Sequence, residues 1–96
     1  MGIVWQRIKP RPAEFHGRVS SDQRDRGSRN FCDLQVAGYT IRVMLDGVEQ
    51  KDCDIADPIE GFVRRCKLDN RGMIYADGDE IATETISGHV QIFLDK

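Results

Sequence analysis

Sixteen carboxylates, three cysteines and two histidines are the groups from which this 96-residue chain would have to build a reactive centre. Two acidic clusters stand out, Asp52-Asp54-Asp57-Glu60 and Asp77-Asp79-Glu80-Glu84. A hard cation needs several convergent oxygens, and the best-known calcium loop sets them at positions one, three, five and twelve with Gly at six. Counted from Asp77, the fifth position is Ile81 and the sixth Ala82. The pattern fails, and Asp beside Gly in these stretches reads as turn chemistry. Cys32, Cys53 and Cys66 with His16 and His89 hold enough sulfur and nitrogen for a zinc tetrahedron, but their spacing matches no finger or ribbon. A nucleophilic pair of Cys53 or Cys66 with His89 would require adjacency in space. The expectation is no catalytic residue, no metal and no cofactor, with the cysteines packing as small hydrophobes.

The glycines never form G-x-G-x-x-G, nor a phosphate loop ending in Gly-Lys-Ser/Thr, so no phosphate cradle is expected. Charge is divided unevenly along the chain. Residues 1–30 hold seven basic and three acidic groups, net +4, while residues 31–96 hold seven basic and thirteen acidic groups, net −6. Trp5, Arg7, Lys9, Arg11, Phe15 and Arg18 mark the basic segment as a candidate interaction arm, since cations meet phosphates and aromatic rings stack on bases. The same charge would equally draw the arm onto the acidic body or onto a neighbouring subunit. Met1-Gly2-Ile3-Val4-Trp5 runs straight into Gln6-Arg7, without the apolar core of a secretory signal, and no apolar run approaches the length of a membrane span. Reduced thiols and a cytoplasmic location follow as expectations.

The elements that would position these groups read mainly as β. Tyr39, Ile41, Val43 and Leu45 alternate with polar or flexible neighbours, as in a strand with one buried face, and Asp46-Gly47 is a hairpin turn leading to a weak edge strand at Val48–Lys51. Turn clusters follow at Asp69–Gly72 and Asp77–Asp79. Ile81–Ile86 and His89–Leu94 are further strands, broken at Ser87-Gly88. Gly2–Ile8 and Phe31–Val36 are expected as short strands. Residues 16–30 are expected to be mobile, because Ser20–Asn30 contains no apolar side chain. Asp57-Pro58-Ile59-Glu60 has the form of a helix start, with Ile59, Phe62, Val63 and Cys66 at helical spacing. Against that stand Gly61 and the alternative pairing of Phe62, Cys66 and Leu68 on a strand face.

Leu45-Asp46-Gly47-Val48, Asp52-Cys53, Ala56-Asp57, Glu60-Gly61-Phe62-Val63, Lys67-Leu68-Asp69-Asn70, Asp77-Gly78-Asp79 and Gly88-His89-Val90 together resemble small proteins of tailed-phage and prophage gene clusters, over residues 39–96. That family carries no known activity, so the resemblance transfers no functional residue. It implies a strand at Gly61-Phe62-Val63, which favours β over helix at 57–68. The expected fold is therefore mainly β, a small antiparallel barrel or sandwich of about five or six strands. It would be a single domain at 31–96 behind a basic, partly disordered segment at 1–30. The core would hold Ile41, Val43, Val63, Val90 and Ile92. The expected function is a non-enzymatic interaction or assembly module that binds a protein partner or itself, without contact with a membrane. The alternative is a small nucleic-acid-binding or regulatory protein acting through the basic arm.

Overall fold

The computed structural model describes residues 13–96. Strands β1 (Ala13–Phe15) and β2 (Val19–Ser20) precede α1 (Ser28–Val36), the single helix among the described residues. Strands β3 (Thr40–Leu45), β4 (Val48–Gln50), β5 (Cys53–Asp57) and β6 (Phe62–Cys66) follow. A two-strand ladder of β7 (Ala76–Asp77) and β8 (Glu80–Ile81) comes next, then β9 (Thr83–Ser87) and β10 (Val90–Asp95). They form two four-stranded antiparallel sheets, ordered β1-β10-β3-β4 and β2-β5-β6-β9, with β7-β8 apart. The fold is mainly β, and the two sheets share no strand, so it is an open sandwich rather than a closed barrel.

Alternation decides which face each strand buries. Val43 and Leu45 of β3 lie opposite Ile92 and Val90 of β10, all on the inner face of the first sheet. Val63 of β6 lies opposite Ala56 of β5, and Val19 of β2 pairs with the same Ala56. These side chains meet between the sheets with Leu94, while Phe15, Phe31, Leu34, Tyr39, Ile41, Cys53 and Ile86 pack around them. Ile92 and Val63 are fully buried, a gain of about 1.5–3 kcal/mol for each such side chain. Ile41, expected in the centre of the core, is only half-buried at its margin.

Backbone geometry makes the corners. Asp46 and Gly47 both have positive φ, 49° and 81°, as a type I′ hairpin between β3 and β4 requires. The chain passes from β9 in one sheet to β10 in the other through Gly88 and His89 alone. Asp46 closes that corner: its N–H donates to the His89 carbonyl at 2.8 Å, and its carboxylate accepts the His89 N–H at 2.9 Å. Gly88 has no room for a side chain, since a Cβ there would lie 2.7 Å from both the Asp46 carboxylate and Leu45 Cδ1.

One expected strand is corrected, and residues 13–36 are placed as follows. Phe31–Val36 is part of a helix, not a strand. Phe31 and Leu34, three residues apart, turn to the core. The helix ends in a Schellman arrangement in which Gly38 (φ 89°) donates to Gln35 and Tyr39 donates to Leu34. The boundary drawn between residues 30 and 31 falls inside this helix, and residues 13–30 supply a strand to each sheet. Residues 16–30 are folded against the second sheet, with Ser20 only 1% exposed. Polar groups bind this segment in place of apolar ones: Ser20 donates its N–H to Gly27 O, Ser21 donates to Asp54 O, and the Ser20 hydroxyl accepts the Asp22 N–H. The expected strand at Gly2–Ile8 lies outside the described residues.

The contested segment at 57–68 is a turn that leads into strand β6, not a helix, and both readings had support. Asp57 does act as a cap, its Oδ1 accepting the N–H groups of Ile59 and Glu60 at 2.9 Å each. The Gly61 N–H closes one turn onto the Asp57 carbonyl. Gly61 then takes φ 74°, which ends the turn and releases the chain into β6.

Candidate functional site

Two surfaces gather functional side chains, one ionic and one apolar. The ionic surface covers the outer face of the second sheet. Arg18, just before β2, donates from Nε to Asp25 at 2.9 Å and from Nη1 to Asp57 at 3.3 Å, and its guanidinium lies 5.2 Å from the centre of the Phe62 ring. Arg26 reaches Glu60 at 3.1 Å. Beside this group, Arg64 on β6 holds Asp54 at 3.0 Å and Asp22 at 3.2 Å, and Arg24 bridges Asp22 to Glu80. Positive charge from residues 18–26 thus faces carboxylates on the body, and Arg64 answers in the opposite sense.

The pairing sets the protonation states. The Arg18 guanidinium holds Asp25 below the usual carboxylate range against the opposing effect of burial, and the Gly27 N–H adds to it. Burial pushes Asp57 up, but the N–H groups of Glu60 and Ile59 with Arg18 outweigh it, so Asp57 also lies low. Asp22 is lowered chiefly by the Arg24 N–H. Arg18 and Arg64 are raised, chiefly by Asp25 and Asp54 respectively. These shifts keep Asp22, Asp25, Asp57, Arg18 and Arg64 charged at neutral pH, and none of the five is poised to exchange a proton.

The apolar surface is the excursion between β6 and β9, residues 67–82. It leaves and re-enters the sheet through the Lys67 N–H bond to Ala82 O. Two turns fold it. Asp69 accepts the Arg71 and Met73 N–H groups, with Gly72 at φ 76°, and Gly78 at φ 67° joins β7 to β8. Leu68 bridges to Ile74, and Ala82, buried at the root, donates to Tyr75 O. The remaining large side chains are left outside: Leu68, Met73, Ile74 and Ile81 are each between 44% and 60% exposed. Val36, Val48 and Ile59 are exposed singly elsewhere, whereas these four fall on one short excursion.

The other candidates do not assemble. Among the described residues, no three His, Cys, Asp or Glu side chains converge as a metal site. Cys66 pairs with Thr83 at one end of β9, whereas His89 follows Ser87 at the other, about 13 Å away along the strand. Cys53 neighbours Arg65 at the Cys66 end, so neither thiol forms a pair with His89. Cys53 borders a cavity of about 180 Å³ with Phe31, Ile41 and Ile55, and burial pushes its thiol up despite nearby Arg65. That opposes nucleophilic use. Cys32 is exposed on α1, and His16 is exposed after β1. Cys66 opens on a wider cleft of about 670 Å³ with Val48, Leu68, Arg65 and Glu84; there Arg65 is tied to Glu84 at 3.0 Å and to Gln50 at 2.9 Å.

Of the candidate arm, Trp5, Arg7, Lys9 and Arg11 lie outside the described residues. Phe15 is a sheet residue, paired with Ile92 and packed on the core, and Arg18 is committed to Asp25 and Asp57. The structure does not bring these two together as a binding surface. Sequence reading passed over the exposed excursion because Leu68, Met73, Ile74 and Ile81 look like ordinary strand residues; the signal available was the density of turn formers around them. No helix among the described residues is long and apolar enough to cross a membrane. No family model matches the chain, and no curated protein or solved structure matches it.

Proposed function

We propose that this protein is a non-enzymatic interaction or assembly module, of the kind encoded in tailed-phage and prophage gene clusters, and that the 67–82 excursion is its contact element. The observation that carries this reading is the apolar surface of Leu68, Met73, Ile74 and Ile81, held outside the sandwich on a turn-braced projection. Burying such side chains against a partner supplies the drive for association, and a few central ones dominate it. The arginines of the 18–26 segment support the same reading, because Arg18 and Arg26 are engaged with the protein's own carboxylates.

The test places a photo-crosslinking residue at Met73 in cells and identifies the adduct by mass spectrometry. Binding of that purified partner is then measured by calorimetry for the wild type and for Ile74→Asp. A discrete protein adduct, with binding lost in Ile74→Asp, is expected. Labelled DNA and RNA are titrated in parallel. Submicromolar nucleic-acid binding at physiological salt, abolished by Arg7→Ala, Lys9→Ala and Arg11→Ala together, would overturn the proposal in favour of a nucleic-acid-binding arm.

A further inference from the structure

The second sheet ends on β9, and this edge differs from the others. Sheet edges are commonly blunted by Pro, Lys, bulges, short length or a covering element. β1 has three residues and directly follows Pro12; β4 has three and runs into Lys51; β2 has two and packs beside α1. Strand β9, Thr83-Glu84-Thr85-Ile86-Ser87, has five residues and no Pro, and its one charged side chain, Glu84, is tied to Arg65. Among the described residues it pairs only with β6.

Bonding parity fixes what this edge presents. The Lys67 N–H donates to Ala82 O, and the Gly88 N–H donates to Gly61 O. Bonded pairs alternate along an antiparallel ladder, so Glu84 and Ile86 also turn their N–H and C=O groups toward β6. Thr83, Thr85 and Ser87 turn theirs outward, and the side chains of all three are exposed.

We infer that β9 pairs antiparallel with β9 of a second copy of this chain, centred on Thr85, joining two sheets into one. Parity allows the two-fold at Glu84, Thr85 or Ile86, and only the one at Thr85 pairs all three outward residues among themselves. A two-fold axis through Thr85 sets Thr85 against itself and Thr83 against Ser87 of the second copy, and these are the residues whose polar backbone groups point outward. Thr and Ser side chains opposed across strands attract one another. On the other face Glu84 meets Ile86 of the second copy, so no like charges oppose. A two-fold centred one residue earlier would set Glu84 against Glu84, and each carboxylate already holds its own Arg65. The edge is self-complementary in the sense a two-fold interface requires. This surface is separate from the 67–82 excursion, and the inference does not depend on it.

Sedimentation velocity of the full chain from micromolar to millimolar concentration tests the inference, with circular dichroism verifying the fold of each variant. The wild type should approach twice its 10.9 kDa mass. In the inferred register position 83 faces position 87 of the second copy. Thr83→Lys with Ser87→Lys should therefore raise the dissociation constant by at least about tenfold, whereas Thr83→Lys with Ser87→Glu should retain the dimer. Thr85→Pro removes an outward N–H that the β6 ladder does not use, so it should weaken the dimer while leaving the sheet intact. A wild type that stays monomeric throughout would overturn the inference. So would a dimer indifferent to the double-Lys variant, or one lost equally with the Lys–Glu pair. A dimer abolished by Ile74→Asp yet retained with double Lys would move the contact to the excursion.

Discussion

Replacing Asp57 separates two roles that one buried side chain combines. Asp57 is 1% exposed, accepts the N–H groups of Ile59 and Glu60 through Oδ1, and accepts from Arg18 through Oδ2. Asp57→Ala removes the turn cap, about 0.5–2 kcal/mol, and a hydrogen bond between charged groups, about 1.5–3 kcal/mol. Arg18 keeps Asp25, so the loss stays below that of a stranded buried charge, and about 2–4 kcal/mol is expected. A chain of this length is stable by about 5–14 kcal/mol, so the urea midpoint should fall by about 1–3 M with the slope unchanged. Asp57→Asn keeps the Oδ1 acceptor and the shape but not the charge, and should lose about half as much. The pH dependence separates the parts. The folded carboxyl of Asp57 lies below its unfolded value of about 3.9. The stabilisation it brings is therefore complete above that pH and is lost as pH falls through the folded value. The gap between wild type and Asp57→Asn should close in acid, while the gap to Asp57→Ala should persist in part. An Asp57→Ala variant within about 0.5 kcal/mol of wild type would refute the capping and pairing argument. An Asn deficit undiminished in acid would refute the electrostatic half.

Gly88→Ala should destabilise the protein by about 1–3 kcal/mol in chemical denaturation, because its Cβ must displace Asp46 or Leu45 at the corner between the sheets. Ile92→Ala should lower stability by about 2–5 kcal/mol, and Ile41→Ala by less, since Ile41 sits at the core margin; equal losses would show that burial is misassigned. Iodoacetamide on the native protein should label exposed Cys32 first and Cys53 last, read by peptide mass spectrometry.

The strands with clean alternation were legible from sequence: β3 and β10 fell where period-two patterning placed them, while the residues of β6 fitted helix and strand alike; Val43, Val63, Val90 and Ile92 are buried as expected. The Asp46-Gly47 turn was legible because only certain residues accept positive φ. The rest was hidden for three different reasons. Val19-Ser20 and the loop to Gly27 are held by ionic and hydrogen-bonded partners distant in sequence, Asp57 for Arg18 and Arg64 for Asp22, and no local window reveals those. Cys53–Asp57 went unrecognised as a strand because three of its five residues are Cys or Asp; its register shift between Cys53 and Ile55 further scrambles the alternation. Phe31 and Leu34 had helical spacing, and Gly38 was a usable stop signal, but Val36 extended an apparent alternation. Of the acidic residues that suggested a cation site, Asp54, Asp57, Glu60, Glu80 and Glu84 are engaged with arginines, and Asp57 also with backbone N–H groups.

The position of β10 has a consequence for biosynthesis. It lies between β1 and β3, yet it comes after both in the chain, with β1 separated from its partner by most of the sequence. A ribosome therefore delivers β1, β3 and β4 well before the strand that joins them. Until residues 90–95 emerge, Val43 and Leu45 are flanked by β4 on one side only and lack Ile92 and Val90 on the other. The second sheet can close as soon as β9 appears, but the sandwich cannot. Such distant pairing places folding at the slow, millisecond-to-second end for small domains. During that interval the half-built first sheet is the part of the nascent protein most open to capture by a chaperone or by another unfinished chain.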